Sequence, residues 1–359
     1  FVASLSSHVI VLGNLMIQTY SNSARNDQLI ARWLITCAVV IFGMILLGGV
    51  TRLTDSGLSM VEWNPLMGII PPLSQGDWQV LFLKYQQFPE YQKINLGMSM
   101  SEFKFIFMFE YLHRVLGRLI GLVFFIPFVY FLLTKRIAPQ LLPKLVLMLI
   151  LGGCQGLLGW YMVKSGLVDV PHVSQYRLTA HLGLAVLIYG FIVWTALELI
   201  NKTSGQPAKL GKAAATLSVL IFLMTLTGGL VAGTKAGYAY PTWPLMGDSF
   251  VPMGLYEMSP AWLSAFENIT TIQFNHRMFA YLIAILMVSF SVVALRSNIS
   301  RKVRIGIYSM LALLVVQISL GISTIVFHVP VATAAAHQVG AVALLTATLF
   351  VSHSLLNRH

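Results

Sequence analysis

The sequence predicts an all-α membrane protein with eight transmembrane helices, arranged as two parallel-oriented four-helix bundles. Three observations support this fold class. Of the 359 residues, 57% are hydrophobic and only 10% are charged, whereas about a quarter of the residues of a soluble domain are charged. Eight apolar segments are long enough to span a bilayer, which takes about 20 helical residues. Motifs from the first half of the chain also recur in the second half.

The eight segments define the expected domain organisation. They cover residues 33–51, 104–133, 143–163, 178–200, 213–233, 272–295, 305–327 and 332–356. We expect an N-terminal segment on the cytoplasmic side (1–32), a first four-helix repeat (33–200), a linker (201–212) and a second four-helix repeat (213–356). Residues 1–15 look like an upstream extension or a targeting remnant and are left out of the fold prediction.

The basic residues predict the orientation of the chain. The net charge is +11, but the basic residues lie between apolar segments and form no single patch, which argues against nucleic-acid binding. With eight spans, the basic loops around Lys135, Lys202 and Arg301 fall on one side, which the positive-inside rule assigns to the cytoplasm or matrix. Two long aromatic-rich loops, about 52–103 and 234–271, fall on the other side. We expect the first of them to form a lid over the outer helix ends.

An internal repeat relates the two halves. The matched features are Gly48-Gly49 with Gly228-Gly229, Trp63 with Trp243, His113-Arg114 with His276-Arg277, Gln155 with Gln317, His172 with His328, and His181 with His337. Because each half holds an even number of helices, both halves should have the same orientation in the membrane, related by an axis along the membrane normal.

Four histidines at equivalent positions predict haem binding. His113, His181, His276 and His337 lie on the even-numbered helices, each near the outer end. A lone histidine in an apolar helix is more often a packed residue, but two duplicated pairs are hard to explain by packing. Two imidazoles from facing helices suit six-coordinate haem iron. A di-iron site would need a second Glu-x-x-His, where this chain has Gln273, and zinc would need three or four clustered ligands.

One acid and several arginines accompany these histidines. Glu110 lies three residues before His113, so both side chains share a helix face, and an acid within a membrane helix usually marks a functional site. Four arginines near the outer helix ends are suited either to pair with haem propionates or to reach the headgroup layer: Arg114, Arg118, Arg177 and Arg277. His172 and His328 are expected in loops or at helix starts, in contact with solvent.

Taken together, these stretches resemble the haem A synthase family. The resemblance runs from Trp33 to Leu355, and its most specific parts are residues 48–59, 110–114, 155–166, 173–181, 321–324 and 337–338. It implies that a ring methyl of haem O is oxidised to a formyl group by successive hydroxylations, for cytochrome oxidase assembly. It also implies that His113 and His181 hold the substrate haem, that His276 and His337 hold haem b, and that Glu110 is catalytic.

The resemblance carries further expectations. The chain is similar to members without a cysteine pair in an outer loop, since Cys37 and Cys154 both lie in apolar segments. It implies haem O synthase and an electron acceptor as partners, a possible homo-oligomer, and residence in a bacterial cytoplasmic or mitochondrial inner membrane. The residues alone leave two alternatives. These are a di-haem cytochrome b that exchanges electrons with quinone, which Glu110 argues against, and a transporter built from parallel repeats.

Overall fold

A computed structural model describes residues 2–62, 70–166, 173–200 and 208–356. These residues form α-helices joined by turns and two short 3₁₀ segments, and the described ranges contain no β-strand. The helices are α1 (Val2–Leu53), α2 (Gln75–Gln86), α3 (Pro89–Lys93), α4 (Met100–Leu133), α5 (Leu142–Gly166), α6 (Gln175–Ile200), α7 (Ala208–Gly233), α8 (Ser264–Glu267), α9 (Ile269–Leu295), α10 (Arg301–Val326) and α11 (Val331–Leu356).

Eight of the described helices are long and apolar enough to cross a membrane: α1 through its part Ser23–Leu53, α4 to α7, and α9 to α11. The predicted all-α membrane fold is therefore confirmed. Helices α4 and α9 begin a few residues before the predicted spans. Each opens with a polar capping turn, in which Ser99 and Asn268 accept hydrogen bonds from backbone N–H groups. Such turns are helical but not apolar, so hydropathy alone places the start of the helix too late.

Helix α1 extends much further towards the N-terminus than the predicted span 33–51. It runs without interruption from Val2 to Leu53, so the polar stretch 21–28 lies inside the helix. Polar residues such as asparagine, glutamine and arginine end an apolar span but have moderate helix propensity, and only proline and glycine disfavour the helix strongly. The segment 1–32 is therefore mostly a continuation of the first membrane helix.

The helix contacts follow the internal repeat. In the first half α1 and α5 each contact α4 and α6, and in the second half α7 and α10 each contact α9 and α11. The halves meet through α6 with α7, and through α11 with both α1 and α6. At the junction Gln338 Nε2 donates to the Ile45 carbonyl oxygen at 2.8 Å. The predicted domain boundaries and the parallel orientation of the two bundles stay predictions.

The first long loop packs against the start of α4. Helices α2 and α3 lie in this loop, and Trp78 and Tyr85 of α2 contact Phe103 and Phe107 of α4 edge-on or stacked, with ring centres 5.1 to 6.3 Å apart. We call these four residues the aromatic cluster. It covers the N-terminal part of α4, one to two turns before Glu110, as the lid interpretation requires. Residues 63–69 of this loop, including Trp63, lie outside the described residues.

Candidate functional site

Glu110 is buried in the first half with both carboxylate oxygens bonded. Its side chain is 3% exposed and forms an ion pair with Arg114, one helical turn further along α4. The other oxygen, Oε2, accepts hydrogen bonds from Ser59 Oγ at 2.8 Å and from the Met60 backbone N–H at 2.7 Å. Because a buried carboxylate needs both a counter-charge and hydrogen-bond donors, this environment holds it in one orientation.

Arg114 connects the same carboxylate to the turn that follows α1. Its two terminal nitrogens donate to the carbonyl oxygens of Glu62 at 3.0 Å and Met60 at 2.9 Å. The planar guanidinium has its donors in a rigid fork, so it can bond the loop and the acid together. The predicted contact of Arg114 with a haem propionate stays a prediction, since the structure shows these protein contacts for the guanidinium.

The second half repeats this arrangement without the acid. Arg277, which is 7% exposed, donates to the carbonyl oxygens of Tyr240 at 2.8 Å and Leu245 at 3.1 Å. Gln273 occupies the position that corresponds to Glu110, and its Nε2 also donates to Tyr240 O, at 3.2 Å. The same loop-to-helix connection therefore forms with a neutral amide. The predicted contact of Arg277 with a haem propionate likewise stays a prediction.

Each of the four predicted haem ligands packs against a glycine on a neighbouring helix. The pairs are His113 with Gly48 of α1, His181 with Gly159 of α5, His276 with Gly228 of α7, and His337 with Gly321 of α10. A Cβ added to these glycines would lie 2.8 to 3.5 Å from the imidazole Cε1. The missing side chains thus let each ring lie directly on the backbone of the adjacent helix, and this happens at four equivalent places.

The structure brings together the predicted ligand pairs. His113 lies within electrostatic range of His181, and His276 lies within electrostatic range of His337. Among the described residues, no group of three or more histidines, cysteines or acids is arranged to hold a metal ion. Two neighbouring imidazoles, without a third protein ligand among the described residues, fit iron whose other four ligands come from a porphyrin. They fit a zinc or di-iron site held by protein ligands alone poorly.

Two equivalent glutamines anchor the histidine-bearing helices of both halves. Gln155 Nε2 donates to the His181 carbonyl oxygen at 3.0 Å, and Gln317 Nε2 donates to the His337 carbonyl oxygen at 3.0 Å. The side-chain oxygens of both glutamines are buried without a hydrogen-bond partner among the described residues. These glutamines fix the backbone of the two histidines, and groups of this kind set the orientation of a metal-ligating side chain.

Three of the four histidines have a partner at Nδ1, including His181 of the first half, whose Nδ1 lies 3.2 Å from Gln155 Nε2. The Nδ1 atom of His276 lies 2.8 Å from Thr227 Oγ1, and that of His337 lies 3.2 Å from the Gln317 carbonyl oxygen. By contrast, His113 Nδ1 is buried and has no hydrogen-bond partner among the described residues. A hydrogen bond at Nδ1 sets the tautomer and ring orientation of a ligating histidine, so His276 is held more firmly than His113.

The remaining predicted residues lie at the edges of this site. Arg177 stacks on the Tyr161 ring, 4.7 Å from its centre, and Arg118 lies partly buried one turn beyond Arg114. His328 is exposed in the turn between α10 and α11, as expected for a solvated loop residue. His172 lies outside the described residues.

Sequence reasoning did not identify the groups that support these side chains. It noted Gly48, Gly228, Gln155 and Gln317 as repeated residues but did not connect them to the histidines. The repeat itself was a usable signal. A residue that recurs in both halves together with a recurring histidine is a candidate to contact that histidine. Ser59 lies in a stretch that the prediction used only for family resemblance, although its hydroxyl bonds the candidate catalytic acid.

Comparison with known proteins shows the family of this chain. The model of the COX15-CtaA family, described as cytochrome oxidase assembly protein, matches residues 31–349. The chain belongs to this family. The resemblance drawn from the motifs is thereby confirmed, and the COX15-CtaA match includes all four histidines, Glu110 and both loop-binding arginines.

Several COX15-CtaA relatives cover nearly the whole chain. It is 51% identical over 350 residues to Heme A synthase of Nitrosospira multiformis, covering 94% of this chain and 98% of that protein. It is 46% identical over 340 residues to Heme A synthase of Parvibaculum lavamentivorans, covering 94% and 98%. It is 41% identical over 340 residues to Heme A synthase COX15 of Homo sapiens, covering 92% and 83%. With its eight apolar helices, the chain is an integral membrane protein, and the similarity to bacterial proteins favours a bacterial membrane.

Proposed function

We propose that this chain is a haem A synthase, an integral membrane oxidoreductase that converts haem O into haem A for cytochrome oxidase. The observation that carries the proposal is the buried Glu110, one helical turn from His113 in a chain with a duplicated histidine pair. The family match and the relatives named Heme A synthase support it. A di-haem cytochrome b that only passes electrons is less well supported, because electron transfer alone gives no reason for a buried, fully bonded acid in one half.

In the proposed division of labour, the first half holds the substrate. His113 and His181 hold haem O, and His276 and His337 hold haem b. When bound, haem b supplies a one-electron carrier between the substrate site and an external electron acceptor. The glycines behind the four rings support this assignment, because a side chain at any of these glycine positions would crowd the imidazole. The firmer hold on His276 suits a resident cofactor, and the weaker hold on His113 suits a substrate that must leave.

We further propose that the reaction oxidises a ring methyl by successive hydroxylations. In each hydroxylation the carbon gains the oxygen of a water molecule, while two electrons and two protons leave. Glu110 accepts one of these protons as the water attacks, or stabilises positive charge that develops at the carbon. Ser59 and Met60 hold the carboxylate in a fixed orientation, and Arg114 neutralises its charge between turnovers.

The partners of the reaction follow from its chemistry. Haem O is the product of a haem O synthase, so transfer from that enzyme is the simplest supply route for a substrate that is insoluble in water. The electrons need an acceptor that neither half provides. Self-association into a homo-oligomer completes the set of proposed partners.

The proposed function is tested by identifying the haems in cells that make haem O but lack their own haem A synthase. The parent chain should produce haem A, identified by mass after extraction. Glu110→Gln should lower haem A formation by about 100-fold or more, with haem O or its hydroxylated intermediate accumulating. Gln273→Glu, the matched change in the second half, should leave the rate within a few-fold. Haem A formation at the parental rate by Glu110→Gln would contradict the catalytic role of the acid.

A further inference from the structure

A second buried acid lies in the first long loop, close to the site but outside the predicted machinery. Glu90 belongs to α3 and is only 5% exposed. One of its carboxyl oxygens accepts a hydrogen bond from the Tyr85 hydroxyl. The other, Oε2, is buried without a hydrogen-bond partner among the described residues. Acids are almost never fully buried unless they are paired, so this side chain requires an explanation.

Two acids act on Glu90: Glu110, which is paired with Arg114, and Asp55, which is paired with Arg52 and Lys235. Glu110 faces it from α4 and Asp55 faces it from the turn after α1, and both act on its carboxyl group electrostatically. From α2 the Tyr85 hydroxyl donates to it, and that hydroxyl accepts a hydrogen bond from Asn95 Nδ2 at 2.7 Å. Among the described residues, no cation forms an ion pair with Glu90, whereas Glu110 has Arg114. The two acids therefore differ in their partners.

The neutral form of Glu90 follows from these contacts. Burial, and then the negative charge of Glu110, raise the pKa of Glu90 to about 8, although the Tyr85 hydrogen bond opposes the shift. An acid with this pKa exchanges its proton near physiological pH, which is the property that a proton carrier needs.

The three acids form a series from the interior to the surface. Glu110 is 3% exposed and Glu90 is 5% exposed, while the Asp55 side chain is 57% exposed. Glu90 has both of the others as electrostatic neighbours. Glu90 is thus a buried acid that neighbours both the candidate catalytic carboxylate and an acid in contact with solvent, on the side of the membrane where the long loops are predicted to lie.

We propose that Glu90 is a proton-relay residue that carries protons from Glu110 to the aqueous phase on the long-loop side. This inference rests on the proposed function, in which Glu110 receives a proton at each hydroxylation. The proton leaves Glu110 and binds one carboxyl oxygen of Glu90, while the proton on the other oxygen departs to water near Asp55. Glu90 is neutral before and after the step, Glu110 returns to its carboxylate form, and no electron moves.

The competing explanation is that Glu90 only holds the loop together. Glu90→Gln separates the two roles, because the amide oxygen still accepts from Tyr85 but the amide cannot pass a proton on. In purified full-length protein supplied with haem O, we expect the turnover number of Glu90→Gln to fall about tenfold or more. The Michaelis constant for haem O and the content of haem b should stay unchanged. Glu257→Gln, which alters an exposed acid in the second long loop, is the matched control and should keep the parental rate.

A second measurement detects the relay without relying on turnover. Infrared difference spectra between samples at about pH 6 and about pH 10, a range in which ordinary carboxylates stay ionised, should contain the band of a protonated carboxylic acid, absent in Glu90→Gln and kept in Glu257→Gln. A parental rate in Glu90→Gln, or a combined loss of haem content and turnover, would overturn the relay. If the parent chain itself made no haem A, the proposed function would fail, whereas the infrared band would still report the protonated acid.

Discussion

Helices α4 and α9 carry the same His-Arg pair but differ three residues before the histidine. In both halves an arginine bonds the loop after the preceding membrane helix, at Met60 in the first half and at the equivalent Tyr240 in the second. The hydrogen bonds between the arginine and the loop thus form with Gln273 at this position as well as with Glu110. Because the second half forms this connection without an acid, the carboxylate of Glu110 is free to serve the proposed chemistry.

The surroundings of the two sites also differ, since the second site is the more enclosed. The second half holds His276 through Thr227, and its helix α10 is more enclosed, with 22% of its most apolar stretch buried against 6% for α5. The first half adds α2 and α3 above α4, with the aromatic cluster and the second acid. A less enclosed α5 and a covering loop suit exchange of a large substrate, and a more enclosed α10 suits a cofactor that stays.

The largest effect should come from removing the histidines of one half at a time. His276→Ala or His337→Ala should abolish the low-spin bis-imidazole spectrum of haem b in the purified protein, because one of the two imidazoles that would hold the haem is removed. His113→Ala should keep that spectrum and lose haem A formation. Visible absorption and electron paramagnetic resonance spectra of the purified variants measure the outcome. An unchanged spectrum in both second-half variants would remove the assignment of haem b to that half.

A smaller effect should appear in the pH dependence of the first long loop. The pKa of Glu90 is raised from its ordinary value of 4.5 to about 8, so the folded loop binds more protons than the unfolded loop between these values. Its stability should be fully present below pH 4.5 and fall as pH rises towards 8, by up to about 1.4 kcal/mol per pH unit.

Amide hydrogen exchange of residues 75–93 measures this loss, with Glu90→Gln at the same pH as the control. The difference in exchange between parent and variant should grow as pH rises from about 5 to 8. The second long loop, which contains no such buried acid among its described residues, should show no difference. A difference that is constant across this range would mean that Glu90 ionises normally.

The smallest effect should be a difference between alanine substitutions at two equivalent glycines, Gly48 and Gly228. An added Cβ would lie 3.0 Å from His113 Cε1 at Gly48 but 3.5 Å from His276 Cε1 at Gly228. Gly48→Ala should therefore displace its ring, at a cost of about 1–3 kcal/mol, while Gly228→Ala should be tolerated. The measurements are retention of haem O for the first variant and the haem b spectrum for the second. Equal effects of the two changes would show that the rings adjust freely, and the proposed packing would then not position them.

The amino-acid sequence by itself determined the all-α membrane fold, the eight spans, the duplicated histidines and the family. These features depend on local hydropathy and on residue types at fixed spacing, which need no knowledge of packing. The tertiary structure decided which groups meet across helices. Ser59 reaches Glu110 across 51 residues of chain, and Gly48 meets His113 only because α1 lies against α4. It also showed Glu90 to be buried beside Glu110, since the burial of a loop acid is decided by the helix that the loop folds against.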